Sequence, residues 1–507
     1  MMQPESLPAA FQTATRRTPD KPFLHFEGRT FTYGEVHREV ARAAGVFASL
    51  GVSKGDRIGL YLENSPEFVV CYLGAQWVGA IVVPINVRYR ETELVHILGD
   101  SDPRLLVTDR AGEKEAVNAA AQTSLGDQLI VLAPETGWNG LATGTESMET
   151  AVPLGPDDPA VLGYTSGTTG RSKGAILTHG NFCSNSVAVT TSWGWTADDH
   201  LLLVLPLFHT HGLNVGLHGT LVQGSTITLE RGFDAEAVLA RLSSGDVTMF
   251  FGVPTMYSRM LTAARDRRLV PRGVRLFVSG SAPLSPQVLQ QFEALSGHRI
   301  LERYGMTETV MNVGNPLDGE RRAGSVGFPF PGVQLRIAQP PADTPVETGK
   351  VGEIQLRGPS ISRGYWKNEE ATKKVWTADG WFRTGDLGYV DEEGYTFLTG
   401  RAKELIISGG FNVYPREVEE VLESHPAVGS AAVLGVPDDD LGERVVAAVT
   451  LLSPVRAIDL QAFCGERLAG FKKPREIHQI ETLPRNAMGK IQKHVLRQGL
   501  GEDSRLA

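Results

Sequence analysis

Tyr164-Thr-Ser-Gly-Thr-Thr-Gly-Arg-Ser-Lys-Gly174 is the stretch that decides the fold, for nine of its eleven residues are Gly, Ser, Thr or Lys. Gly167, Gly170 and Gly174 let backbone N–H groups turn toward an anion, Thr165, Ser166, Thr168 and Thr169 add hydroxyl donors, and Lys173 adds a mobile charge. An exposed flexible loop has the same composition, but the flanks differ from those of a simple surface turn. The apolar run Ala160 to Tyr164 enters the stretch, and Ala175-Ile-Leu-Thr-His179 leaves it toward Asn181, which the pattern places as the N-cap of a helix over 182–190. A polyphosphate cradle between buried strands follows, and with it a nucleotide-using enzyme.

The kinase-type spacing G-x-x-x-x-G-K-[ST] fails here: Arg171-Ser172 separates Gly170 from Lys173, and Gly174 stands where Ser or Thr would meet magnesium. Outward from the loop, residues 33–51 read as a helix with apolar positions at Val36, Val40, Ala44, Val46 and Phe47, and 57–62 as a strand. The alternation continues with a helix over 68–80, a strand over 80–84, a helix over 92–98 and a strand over 104–108. This predicts an α/β fold whose large N-terminal domain has several subdomains and mixed, largely parallel sheets. Residues 335–400 switch to short strands and turns, an antiparallel β-subdomain, and 405–507 form a small α/β unit after a polar link at Gly400-Arg-Ala-Lys403.

A chain of 507 residues suggests two to four domains, and its net charge of −9 argues against a general nucleic-acid binder. Cys71, Cys183 and Cys464 have no metal spacing and no disulfide framework, which favours a reducing compartment. No secretory segment, transmembrane run or peroxisomal Ser-Lys-Leu ending is evident, so a cytoplasmic enzyme without membrane insertion is expected.

The order of residues from Tyr164 to Gly174 resembles the phosphate-binding signature of the adenylate-forming superfamily of acyl-CoA synthetases, adenylation domains and luciferases. Three more stretches match in order: Arg303-Tyr-Gly-Met-Thr-Glu-Thr309 preceded by Phe277-Val-Ser-Gly-Ser-Ala-Pro-Leu284, then Trp381-Phe-Arg-Thr-Gly-Asp-Leu387, then Leu483-Pro-Arg-Asn-Ala-Met-Gly-Lys490. The resemblance implies an enzyme that joins a carboxylate to the α-phosphate of ATP, releases pyrophosphate, and passes the acyl group to coenzyme A. It implies ATP, Mg2+ and CoA as cofactors and a small mobile C-terminal domain, with 1–400 as adenylation domain, 401–404 as hinge and 405–507 carrying the catalytic Lys490.

On that resemblance Tyr304 stacks on adenine, with Gly280, Ser281, Ala282 and Pro283 supplying close contacts and Arg303, Gly305, Met306 and Thr307 completing the nucleotide segment. Glu308 holds magnesium with help from Thr165 or Thr307, Asp386 takes the ribose hydroxyls, Arg401 contacts ribose or phosphate, and Lys403 sits at the hinge. Gly409 and Gly410 are similar to the loop that meets the pantetheine arm after domain rotation. Lys490 is chemically suited to control by an acetylase. A carrier-protein acceptor has no adjacent segment here, and luciferase-like oxygenation shares the same parts.

For the acid, Leu205 to Gly212 and Phe251 to Met260 are the informative segments. An arginine at 259 violates the apolar lining a fatty-acid tunnel needs if it faces the pocket, and would suit a second carboxylate. It would mean nothing if it lies on the exposed face of the helix after Pro254. The runs around Gly252 to Arg259 and Glu302 to Asn312 look like malonyl-CoA synthetases, in which arginines at the positions of Arg259 and Arg303 are implied in carboxylate recognition. His209 or His211 would lie at the mouth, Met306 beside them, with His209 also a catalytic candidate; both histidines have a structural alternative. The expectation is a malonate or methylmalonate ligase. A medium- or long-chain fatty acyl-CoA synthetase and a non-catalytic nucleotide-binding protein remain as alternatives.

Overall fold

The computed structural model of the protein describes residues 3–132, 145–165, 171–267, 269–438, 440–487 and 489–503. The helix expected over 33–51 spans Tyr33–Ser49 and starts in a capping box, where Thr32 and Glu35 each bond the other's backbone N–H. Its apolar stripe of Val36, Val40, Ala44 and Phe47 is buried. Strands Arg57–Tyr61, Ile81–Pro84 and Leu105–Asp109 pair in parallel inside a six-stranded sheet. The same sheet ends in the antiparallel pair Pro159–Thr165 and Lys173–Thr178, which flanks the phosphate-loop sequence.

The following helix begins earlier than the pattern suggests. It spans His179–Ser192 with Thr178 as N-cap, and Asn181 occupies its third position, returning a bond of 2.9 Å to the Thr178 N–H. The Asn181 amide also donates to the Pro359 and Ile361 carbonyls at 2.7 and 3.0 Å. Asparagine serves both as a cap and as a capping-box partner, so periodicity alone cannot separate the two.

The second sheet has fourteen strands among the described residues. From Pro22–Phe26 through Thr226–Leu229, His200–Leu203, Met249–Gly252 and Leu276–Ser279 to Leu301–Met306, neighbours run parallel. Leu301–Met306 then pairs antiparallel with Val310–Gly314, and the sheet continues as an antiparallel arm through Ser325–Pro329, Thr396–Arg401 and Phe382–Val390 to Gly352–Arg357 and Gln334–Gln339. The β-subdomain expected over 335–400 is this arm. The strand Leu301–Met306 therefore sits where pairing changes direction, at the carboxyl ends of parallel strands, the usual position of a ligand crevice.

Gly400 and Arg401 complete the strand Thr396–Arg401 and Ala402–Glu404 forms one tight turn, so the polar link is ordered. Beyond it a five-stranded sheet carries helices Pro415–Glu423, Ala457–Gly465 and Lys493–Asp503. Cys71, Cys183 and Cys464 are free and buried, as expected of structural thiols, and burial raises the pKa of each. No helix among the described residues is long and apolar enough to cross a membrane.

Candidate active site

A cavity of ≈ 260 Å³ lies where the small C-terminal domain meets the crevice, with Ser281, Arg303, Tyr304, Asp386, Arg401 and Lys490 in its wall. Asp386 and Arg401 are distant in sequence but are Cα partners on adjacent antiparallel strands. Their side chains pair at 2.9 Å, and the Tyr304 hydroxyl donates to the other Asp386 oxygen at 2.6 Å. The Asp386 charge is the main reason the Arg401 pKa is raised, against the opposing effect of burial. One rigid acceptor pair thus stands beside an aromatic ring, an arrangement able to grip a diol next to a base. Ser281, Ala282 and Pro283 form the turn opposite, with Ser281 in the left-handed region at φ 69. Gly305 has no room for a side chain: a Cβ there would lie 2.0 Å from the Val310 carbonyl oxygen.

Glu308 is 6% exposed and accepts the Tyr365 hydroxyl at 2.9 Å. Burial raises its pKa, while its own backbone, the Tyr365 bond and the Arg401 charge oppose the rise. Lys173 Nζ lies 5.3 Å from the Tyr365 ring centroid. Burial, then the Lys173 charge, then the Arg401 charge lower the pKa of Lys403. Thr165 ends the strand Pro159–Thr165, and Thr307 packs its methyl over Gly163 of that strand. Ser166, Gly167, Thr168, Thr169 and Gly170 lie outside the described residues. A buried carboxylate with one hydroxyl donor fits Mg2+, which keeps waters and binds through one or two carboxylates plus phosphate oxygens. Glu308 and Thr165 would hold it, and when bound it would offset phosphate charge.

Lys490 is exposed to the cavity it lines. The surrounding protein lowers its pKa by desolvation first and by Arg401 second, with Asp386 and Glu404 acting in the opposite sense. Asn486 fixes its backbone, accepting the Lys490 N–H at 3.0 Å and donating its own N–H to the Lys490 carbonyl at 2.9 Å. The cavity therefore gathers the second, third and fourth sequence signatures. Gly409 and Gly410 lie outside it, in the turn between Ile406–Ser408 and Phe411–Val413.

His209, His211 and Arg303 come together: the His211 N–H donates to His209 Nδ1 at 3.1 Å and the Arg303 charge acts on both rings. The segment His211–His218 is a wholly buried π-helix, a form that clusters at functional sites. His211 Nδ1 is 3.1 Å from Ser281 Oγ, and its Nε2 is buried without a partner. Burial first and the Arg303 charge second hold both rings neutral, His209 down at about 4 and His211 well below the usual histidine range. Arg303 is 3% exposed and its Nε and Nη2 have no hydrogen-bond partner. Burial without a counter-ion lowers its pKa to about 9, which still leaves a cation at neutral pH. Met306 packs on the apolar cluster that contains Tyr304 and Val313.

Arg259 corrects the expectation placed on it. It is exposed on helix Pro254–Arg267 and does not line the cavity. Tyr257 and Met260 on either side turn into the core, both 0% exposed, and helical geometry then turns residue 259 outward. Its charge reaches Arg485: burial lowers the Arg485 pKa, Glu423 opposes this, and Arg259 adds to the lowering.

Sequence reasoning missed Tyr365, which no motif marks, and gave Glu302 no role. Glu302 is 8% exposed, accepts the Leu284 N–H at 2.9 Å and lines the cavity. Burial pushes its pKa up to about 7 against the opposing Leu284 bond and the Arg416 charge. Its position directly before Arg303 was the available signal.

Fold and site together define an enzyme that activates a carboxylate with ATP at the seam of a large and a small domain. Residues 11–366 match the AMP-binding enzyme family and residues 417–490 its C-terminal domain, and the chain belongs to that family as an AMP-forming acid–CoA ligase using ATP, Mg2+ and CoA. It is 35% identical to a malonate–CoA ligase of Arabidopsis thaliana over 98% of this chain and 89% of that one. It is 37% identical to a sulfoacetate–CoA ligase of Cupriavidus necator, covering 96% and 97%. The crystal structure of ATP-bound MatB from Rhodopseudomonas palustris superposes with a TM-score of 0.90 at 37% identity, covering 98% and 99%.

Proposed function

We propose that the acid is malonate or a small substituted malonate such as methylmalonate. One observation carries this reading: Arg303 is buried in the cavity wall with two guanidinium nitrogens unpartnered. An unpaired buried cation is costly, and a ligand carboxylate that pairs with it bidentately removes the cost. A fatty-acid tunnel would have no use for that charge. The neutral histidines beside it add polarity without repelling Arg303, and likeness to ligases of malonate and sulfoacetate supports an acid with a second anionic group.

In this reading one carboxylate of the acid rests on Arg303 and the other attacks the α-phosphate. Tyr304 and the Asp386–Arg401 pair orient the nucleoside, and Lys490 stabilises charge developing between the carboxylate and the α-phosphate. Lys173 and the loop before it hold the phosphates that leave as pyrophosphate. Residues 1–400 act as adenylation domain, 401–404 as hinge, and 405–507 as the mobile domain that later brings Gly409 and Gly410 to CoA.

Pyrophosphate release measured with malonate and with octanoate tests the reading. Malonate should turn over faster, Arg303→Met should cut malonate kcat/KM by about 100-fold, the loss of two charged hydrogen bonds, and Arg259→Ala should leave the preference unchanged. Faster turnover of octanoate by the unaltered enzyme sinks the assignment.

A further inference from the structure

We infer that Gly280 is a specificity-determining residue: its bare α-carbon is the shelf on which the Arg303 guanidinium lies, so that position selects a second acidic group on the substrate. This rests on the reading that Arg303 holds the distal carboxylate.

The parallel register pairs Ser279 with Glu302, which carries Gly280 alongside Arg303. A Cβ built on Gly280 would lie 2.5 Å from Arg303 Cζ, 2.5 Å from Nε and 2.8 Å from Nη1, all inside contact distance. The guanidinium therefore lies directly against the Gly280 backbone. Its conformation needs no glycine, as Gly280 is absent from the positive-φ residues, so the constraint is space and not backbone strain. The polar atoms around this shelf are left open: Ser279 Oγ, His211 Nε2, Arg303 Nε and Arg303 Nη2 are all buried without a partner. Buried polar groups are ordinarily satisfied, and four orphans on three side chains from separate elements mark a seat for a ligand group that the chain itself does not supply.

A methyl at 280 forces the far end of Arg303, a flexible side chain, to leave this seat. The backbone need not move, and the turn Ser281 to Pro283 that faces the nucleotide keeps its geometry. The effect should fall more heavily on the dicarboxylate than on ATP.

The test is a double-mutant cycle of Gly280→Ala and Arg303→Met, reading KM for malonate, KM for butyrate and KM for ATP by pyrophosphate release. Gly280→Ala should raise KM for malonate about tenfold or more, the loss of a charge-assisted bond, and by a clearly larger factor than any change in KM for ATP or for butyrate. In the Arg303→Met background the same substitution should add less than about twofold. If Gly280→Ala alone fails to fold, the double variant, freed of the guanidinium, should fold; a double variant that also fails overturns the inference. Unchanged malonate KM in Gly280→Ala, or an equal rise in both backgrounds, also overturns it. If Arg303→Met itself leaves malonate use intact, the dicarboxylate reading falls first, and the two failures are told apart.

Discussion

Tyr365→Phe isolates one oxygen atom. The phenol is the side-chain donor to Glu308 at 2.9 Å, and the ring, which Lys173 approaches to 5.3 Å from its centroid, is retained in phenylalanine. Glu308 is 6% exposed, and its carboxylate is already pushed upward by burial, with Tyr365 among the opposing influences. A hydrogen bond to a charged group contributes about 1.5–3 kcal/mol, so removing the bond should push the Glu308 pKa further up. If ionised Glu308 receives Mg2+ with ATP, the acidic limb of log kcat/KM for MgATP against pH moves to higher pH, and kcat/KM on that limb falls by roughly tenfold or more. More Mg2+ should then be needed for half-maximal rate at pH 6 than at pH 8. The assay is pyrophosphate release at saturating malonate across pH 5–9, with Mg2+ varied at each pH. An acidic limb that stays in place, with unchanged Mg2+ dependence at low pH, refutes the assignment of Glu308 to the metal.

Two further outcomes follow from the cavity. Glu302 titrates near 7 folded against an ordinary 4.5, so the folded protein binds the extra proton between those values and loses stability as pH rises through them. Glu302→Gln keeps the acceptor for the Leu284 N–H and removes the titration, so its thermal unfolding should be less dependent on pH between 5 and 8 and its stability higher at pH 8, by up to about 3 kcal/mol; parallel unfolding curves for the two proteins would contradict this. Lys490→Ala should cost about 100-fold or more in adenylate formation while conversion of preformed malonyl-adenylate to the thioester stays within a few-fold; equal loss in both half-reactions would remove Lys490 from the first step.

The division between what was legible and what was not follows from range. Helix Tyr33–Ser49 is written in periodic burial and the parallel strands at 57, 81 and 105 in short continuous apolar runs, both local signals, and so they could be read directly. The start of helix His179–Ser192 could not, because Thr178 and Asn181 are both good capping residues and the choice depends on which backbone groups the fold leaves open. The site shows the same split. Tyr304, Glu308, Asp386 and Lys490 sit in contiguous motifs whose backbone does the chemistry-specific shaping. Tyr365 has no motif because its use depends wholly on being carried to Glu308.

By itself the sequence determined the class of enzyme, since contiguous runs such as Ala160 to Gly174 and Arg303 to Thr309 state their own local geometry through glycines, hydroxyls and flanking apolar strands. Tertiary structure alone decided which arginine is buried in the cavity wall and which lies at the surface. Arg259 and Arg303 are chemically identical, but helix Pro254–Arg267 turns 259 outward between buried Tyr257 and Met260, while strand Leu301–Met306 buries 303 against the bare backbone of Gly280. Side-chain direction depends on which face of each element the core claims, a property of the packed assembly that no isolated residue carries.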